Sequence, residues 1–261
     1  MVQLTLLLLL LFAGVTVSSV VDLQKRIIHG GDCGPGERHY HVKLRIYAHI
    51  RQQLCGGSLI SDRWILTAAH CWIQNGTMYA YLGQHTGRRQ PPVQIIQGTI
   101  FNDGLIHHDI MLLKLPNPTQ IHPVRLPPCN NRFQGSQPRP GQTVQMAGYG
   151  STQHDANNQR PGGESQTLQC VDINVVNCPA FNTLRIGHEP YMLDQVVFCG
   201  QNPPHQGDSC IGDSGGGVIF NNMIYGVISS GGISACTEPV KFMNVCYPDY
   251  YQWIQNTIRT P

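Results

Sequence analysis

The sequence predicts an all-β protein, on three observations. Short apolar segments recur along the chain and are broken by turn residues. Glycine and proline are abundant, at 28 and 18 residues, as a chain of many tight turns requires. The apolar segments also fall into two groups, separated by residues 116–142, which are rich in Pro, Asn, Gln and Gly. Two sets of short strands on either side of such a connection point to two sheet-based barrels.

In chain order, Leu4 to Ala13 is almost wholly apolar and too short to span a bilayer. Small residues follow, with Val17 and Ser19 suited to a signal peptidase site, so residues 1–19 read as a secretory signal, although a basic first region is missing. Residues 20–26 end in Lys25-Arg26 and precede Ile27-Ile28-His29-Gly30-Gly31. The first strand group runs His41 to Tyr47, Ser58 to Thr67, Tyr79 to Leu82, Val93 to Ile100 and Ile110 to Leu115. The second runs Thr143 to Ala147, Gln166 to Val176, Val196 to Cys199, Gly217 to Phe220, Ile224 to Ser229 and Val240 to Val245. After Pro248, Tyr250, Trp253, Ile254 and Ile258 fall at helical spacing, so a terminal helix packs on the body.

Composition narrows the classes. Charged residues are 12% of the 261 and the formal net charge is +2, a balance that gives no argument for nucleic acid. No other stretch could cross a membrane either. Ten cysteines match an oxidising compartment, so an extracellular protein is expected. Asn75-Gly76-Thr77 is an N-glycosylation acceptor on an expected surface loop.

Three strings carry chemistry. Asp208 to Gly217 reads Asp-Ser-Cys-Ile-Gly-Asp-Ser-Gly-Gly-Gly, one serine, Ser214, among glycines. Such a turn exposes a hydroxyl and aims adjacent N–H groups at one point, although by itself it is equally a plain loop. A serine nucleophile needs an oriented base, and among 12 histidines His70 stands out in Thr67-Ala68-Ala69-His70-Cys71. An acid, Asp109, opens the apolar string Asp109-Ile110-Met111-Leu112-Leu113. Together, in the order His, Asp, Ser, these strings resemble the trypsin/chymotrypsin family of serine proteases, and the resemblance runs from about Ile27 to Ile258.

The resemblance implies two packed six-stranded antiparallel β-barrels with a C-terminal helix, and one peptidase domain over residues 27–261. It implies a triad of His70, Asp109 and Ser214, with an oxyanion hole from the N–H groups of Gly212 and Ser214. It implies a zymogen cut after Arg26 by an activating protease, the new ammonium of Ile27 pairing with Asp213. It pairs Cys33 with Cys170, Cys55 with Cys71, Cys129 with Cys246, Cys178 with Cys199, and Cys210 with Cys236. A further bridge of many trypsins has Val144 and Phe220 at its two positions here.

For specificity the resemblance places Asp208 at the base of the primary pocket, with Ser229, Ser230 and Gly231 along one wall. Ser230 stands where a Trp is usual, and Val240 where a glycine leaves room for a long basic side chain. Three readings stay open: cleavage after Arg or Lys, a shallow pocket for small side chains, or a weakly active homologue that binds other proteins. Expected partners are protein or peptide substrates, an activating protease and protein inhibitors, with a monomer as the working form. No cofactor and no metal are expected: the string after Leu82-Gly83 lacks carboxylates for calcium, and His39 and His41 lack a convincing third ligand.

Overall fold

The computed structural model describes residues 30–49, 51–85, 87, 90–104, 108–129, 137–151, 163–179, 184–186, 189–191, 196–203, 209, 212–230 and 238–259. The expected signal and activation segments, Arg26, Ile27, Asp208, Cys210, Gly231 and Cys236 lie outside these residues.

The first sheet holds β2 (His41–Ala48), β3 (Arg51–Leu59), β4 (Trp64–Thr67), β5 (Thr77–Tyr81), β6 (Val93–Ile95), β7 (Gln97–Ile100) and β8 (Met111–Lys114), in the order β6-β5-β2-β3-β4-β8-β7. Its two edges are joined at Ile96, since β6 and β7 are halves of one bent segment. One half pairs with β5 and the other with β8, so seven strands close as a six-member ring. The second sheet holds β1 (Gly31–Asp32), β9 (Thr143–Gly148), β10 (Gln169–Val176), β13 (Val197–Gly200), β14 (Gly217–Phe220), β15 (Met223–Ser230) and β16 (Val240–Asn244). Its order is β1-β10-β13-β16-β15-β14-β9, and β10 also pairs with β9. Six strands therefore close a ring and β1 is an appendage on β10. A separate hairpin pairs β11 (Leu184–Ile186) with β12 (Glu189–Tyr191).

Alternation explains the strands. On β2, Val42, Leu44, Ile46 and Ala48 are buried, and on β10 Gln169, Val171, Ile173 and Val175 are buried between outward polar residues. Asn221 and Asn222, with φ of 48° and 60°, supply the paired left-handed residues that a tight β14–β15 hairpin demands. The expected segment Ser58 to Thr67 divides in two. It is the end of β3, a turn, and β4, and most of β3 lies earlier, in Arg-Gln-Gln-Leu-Cys-Gly-Gly, which carries no strand-like pattern.

Val124 and Arg125, in the connection between the barrels, act as a strap. Val124 N donates to Leu59 O (2.9 Å) at the end of β3, and Ile224 N on β15 donates to Arg125 O (3.0 Å). Helix α1 (Pro248–Ile258) opens with proline in its first turn, where the missing N–H is harmless, and buries Tyr250 and Ile254 one turn apart. Disulfides join Cys33–Cys170, Cys55–Cys71, Cys129–Cys246 and Cys178–Cys199, four of the expected pairs. Val144 and Phe220 pack on one apolar cluster instead of forming a bridge.

Candidate active site

His70 and Asp109 meet because their strands are neighbours. β4 pairs with β8 so that Thr67 faces Met111; His70 follows β4 by one short 3-10 turn (Ala69–Cys71), and Asp109 shortly precedes β8. His70 Nδ1 lies 2.9 Å from Asp109 Oδ2 and 3.0 Å from Oδ1, and its backbone N–H donates to Oδ1 at 2.8 Å. A carboxylate only accepts, so Nδ1 carries the proton and Nε2 of the neutral ring is left as an acceptor. The His70 side chain is 40% exposed, so the ring is open to solvent. The next residue, Cys71, is fully buried and bonded to Cys55 on β3, which fixes the backbone on which the imidazole stands.

A third donor comes from the other barrel. Ser229 Oγ, on β15, donates to Asp109 Oδ2 at 2.5 Å. The sequence reading placed Ser229 in a pocket wall and gave no hint of this bond. Its only signal would have been a serine at the end of an apolar strand, a common pattern.

Ser214 sits in the turn between the barrels. Its carbonyl accepts from Gly56 N (2.7 Å) on β3, while Gly215 N donates to Ile228 O (2.7 Å) on β15. Gly215, at φ +83°, cannot be replaced freely: a Cβ there would lie 2.2 Å from Thr67 Oγ1 and 2.4 Å from Gly56 O. Ser214 and His70 flank one disulfide. Cys71 Sγ is 3.8 Å from Ser214 O, and the sulfurs of Cys55 and Cys71 lie within 4.8 Å of a His70 ring nitrogen. Both sulfurs are spent in the disulfide, so this group offers no thiolate to a metal.

Gly212 is buried at φ +108°, a conformation that tips its peptide relative to an ordinary turn. Asp213 beside it has no exposed surface, and its Oδ1 accepts from Gly150 N at 2.8 Å. The carboxylate occupies space left by two glycines: a Cβ on Gly148 would stand 1.9 Å from Asp213 Oδ1, and one on Gly150 2.7 Å from it. These two glycines were not singled out in the sequence, where a Gly-Tyr-Gly string is too generic to signal a carboxylate cradle.

Val240 is wholly buried on β16, opposite Gly200, within the apolar cluster of the second barrel. Ser230 is exposed and pairs with Lys241 just after a bulge in β15. Asn75 is exposed in the turn before β5, at φ 62°. His39 Nε2 lies 3.0 Å from Pro35 O, while His41 points inward and does not join it as a ligand pair. Burial drives His41 down to about 3, helped by the charges of His85, Arg38 and Lys43.

The arrangement can accept a hydroxyl proton on one ring nitrogen while a carboxylate steadies the other. Comparison with known proteins points the same way. The family profile described as Trypsin matches residues 27–254. The chain is 29% identical to anionic trypsin of Canis lupus familiaris over 267 residues, 97% of each chain. It is 31% identical to cationic trypsin-3 of Rattus norvegicus, over 97% of this chain and 98% of that one. Among solved structures, it matches neuropsin, a serine protease expressed in the limbic system of mouse brain, with a TM-score of 0.67 and 26% identity, covering 88% of this chain and 98% of the other. The structure of GrC matches with a TM-score of 0.72 and 25% identity, over 89% and 100%. This chain belongs to the trypsin family of serine endopeptidases.

Proposed function

We propose that the protein is a secreted zymogen which, once cut after Arg26, hydrolyses peptide bonds through Ser214, His70 and Asp109. The observation that carries this reading is the His70–Asp109 pair, held from the second barrel by Ser229, beside the turn that bears Ser214. Ser214 Oγ attacks the substrate carbonyl carbon and its proton passes to His70 Nε2. The carbonyl oxygen becomes an oxyanion that accepts from the N–H groups of Gly212 and Ser214. The C–N bond breaks, His70 gives its proton to the leaving amine, and water repeats the sequence on the acyl-enzyme. Asp109 holds the imidazole in register and offsets its charge once protonated.

Activation uses Asp213. The ammonium of Ile27, which exists only after the cut, enters the buried cradle by Gly148 and Gly150 and pairs with the carboxylate. An ion pair so buried adds little net stability, but it makes a switch because its cation is absent before cleavage. Secretion is supported by the N-terminal apolar run and the disulfides, and a glycan on Asn75 by its exposure. The working form is a monomer acting on protein or peptide substrates and open to protein inhibitors.

Asp208, by its place six residues before Ser214, supports cleavage after Arg or Lys. The complete burial of Val240 favours a second reading, a shortened pocket that takes small side chains. Activation after Arg26 followed by profiling on a peptide library decides. Arg/Lys preference supports the first reading and Ala/Val preference the second. Both require that Ser214→Ala be inert; turnover retained in that variant contradicts the mechanism. Absence of turnover in the activated parent, with tight binding to a protein, would mean that the chain acts as a binding module.

A further inference from the structure

We propose that His108 is a positioning residue for the catalytic acid: buried between Asp103 and Tyr250, it ties the turn that carries Asp109 to helix α1. The inference rests on the reading of Asp109 as the acid of the triad.

Residues 101–104 follow β7 and residues 108–110 lead into β8, and Phe101 N donates to Ile110 O at 3.2 Å. Gly104 N donates to Asn102 Oδ1 at 2.7 Å. His108 is the residue immediately before Asp109, and its side chain has no exposed surface. Nε2 lies 2.9 Å from Asp103 Oδ2 and Nδ1 lies 2.5 Å from the Tyr250 hydroxyl. A ring engaged at both nitrogens has one orientation. Phe101 packs edge-on against both rings at 4.9 Å and against Trp253 at 5.6 Å, so β7, the acid-bearing turn and α1 share one aromatic cluster.

An Asp–His–hydroxyl relay resembles the active site, but this one is sealed: His108 and Tyr250 are fully buried, so no substrate reaches either. Nor is the histidine mere filler. A phenylalanine would occupy similar volume without needing two buried polar partners. What the polar clamp adds is direction. The backbone at 108 is fixed from one side by Asp103 and from the other by α1, which sets where the Asp109 side chain starts. The Asp109 carboxylate is 24% exposed and depends on contacts of 2.5 to 3.0 Å to His70 and Ser229. A displacement on the order of 1 Å breaks that geometry and lowers rate far more than stability.

The test uses the full chain after activation. Asp103→Asn and Tyr250→Phe each alter one polar contact and keep the shape, and His108→Phe removes both. Burst amplitude with an acylating ester, kcat and KM on a peptide amide, and Tm are measured together. We expect kcat to fall about tenfold in the two single-contact variants, with KM within about twofold. Lower Tm with kcat unchanged overturns the proposal, since that is a structural role alone. If His108→Phe does not fold, the other two variants decide. An activated parent with no burst contradicts the peptidase reading itself, an outcome distinct from an active parent whose variants match it.

Discussion

At the scale of single residues, the proposed site depends on what sits around its three side chains, His70, Asp109 and Ser214. Ser229 crosses from one barrel to hold an acid on the other, and Gly215 is a glycine because Thr67 and Gly56 occupy the space of a side chain. Neither relation was legible in the sequence. The strings around His70, Asp109 and Ser214 were legible because each binds its chemistry to near neighbours, whereas Ser229 and Gly150 act on residues far away in the chain. His41 is a second such case. Its spacing from His39 marks the two only as strand neighbours, and β2 turns His41 inward. Its folded value of about 3 lies below the ordinary 6.5, so the unfolded chain takes up a proton that the folded one refuses. The stability this gives is fully present above pH 6.5 and is lost as pH falls toward 3, at a limiting slope of about 1.4 kcal/mol per pH unit. Denaturant titrations from pH 7 to pH 4 therefore show a shallower decline for His41→Gln than for the parent. Parallel curves would mean that His41 is charged in the folded protein.

At the scale of elements, the strands with clean alternation were readable and those without it were not. β2 and β10 alternate and were found; β3 was found only at its end, because Arg-Gln-Gln and Gly-Gly hide a strand that is defined by pairing with β2 and β4. The segment 93–100 was read as one strand, and it is one in effect: its bend at Ile96 lets it close the barrel. The helix was readable from four apolar residues at helical spacing after a proline. β16 carries the element-scale prediction. Val240 is the residue of that strand that departs from the family's glycine, and its burial opposite Gly200 places it inside the second barrel's apolar cluster. In Val240→Gly, kcat/KM for Arg and Lys substrates rises at least about tenfold relative to Ala substrates. Loss of the buried side chain costs about 1–3 kcal/mol of stability in a denaturant titration. An unchanged preference would separate Val240 from substrate choice.

At the scale of the whole molecule, the proposed site lies at a seam. The first barrel supplies His70 and Asp109; the second supplies Ser229 and the turn that bears Ser214. The Val124–Arg125 strap and the Cys129–Cys246 bridge tie the two halves together, and α1 returns to pack Tyr250 against His108. The two-barrel plan was legible from the grouping of strands and the polar region between them. The seam was legible only through the family resemblance, because composition and periodicity say nothing about how one sheet faces another. The most direct test of the account treats the chain, cut after Arg26, with a fluorophosphonate and maps the adduct by mass spectrometry. The account predicts one adduct, on Ser214, forming at least about a thousandfold more slowly in His70→Ala. An adduct elsewhere, or one on Ser214 that forms equally fast without the imidazole, would contradict it.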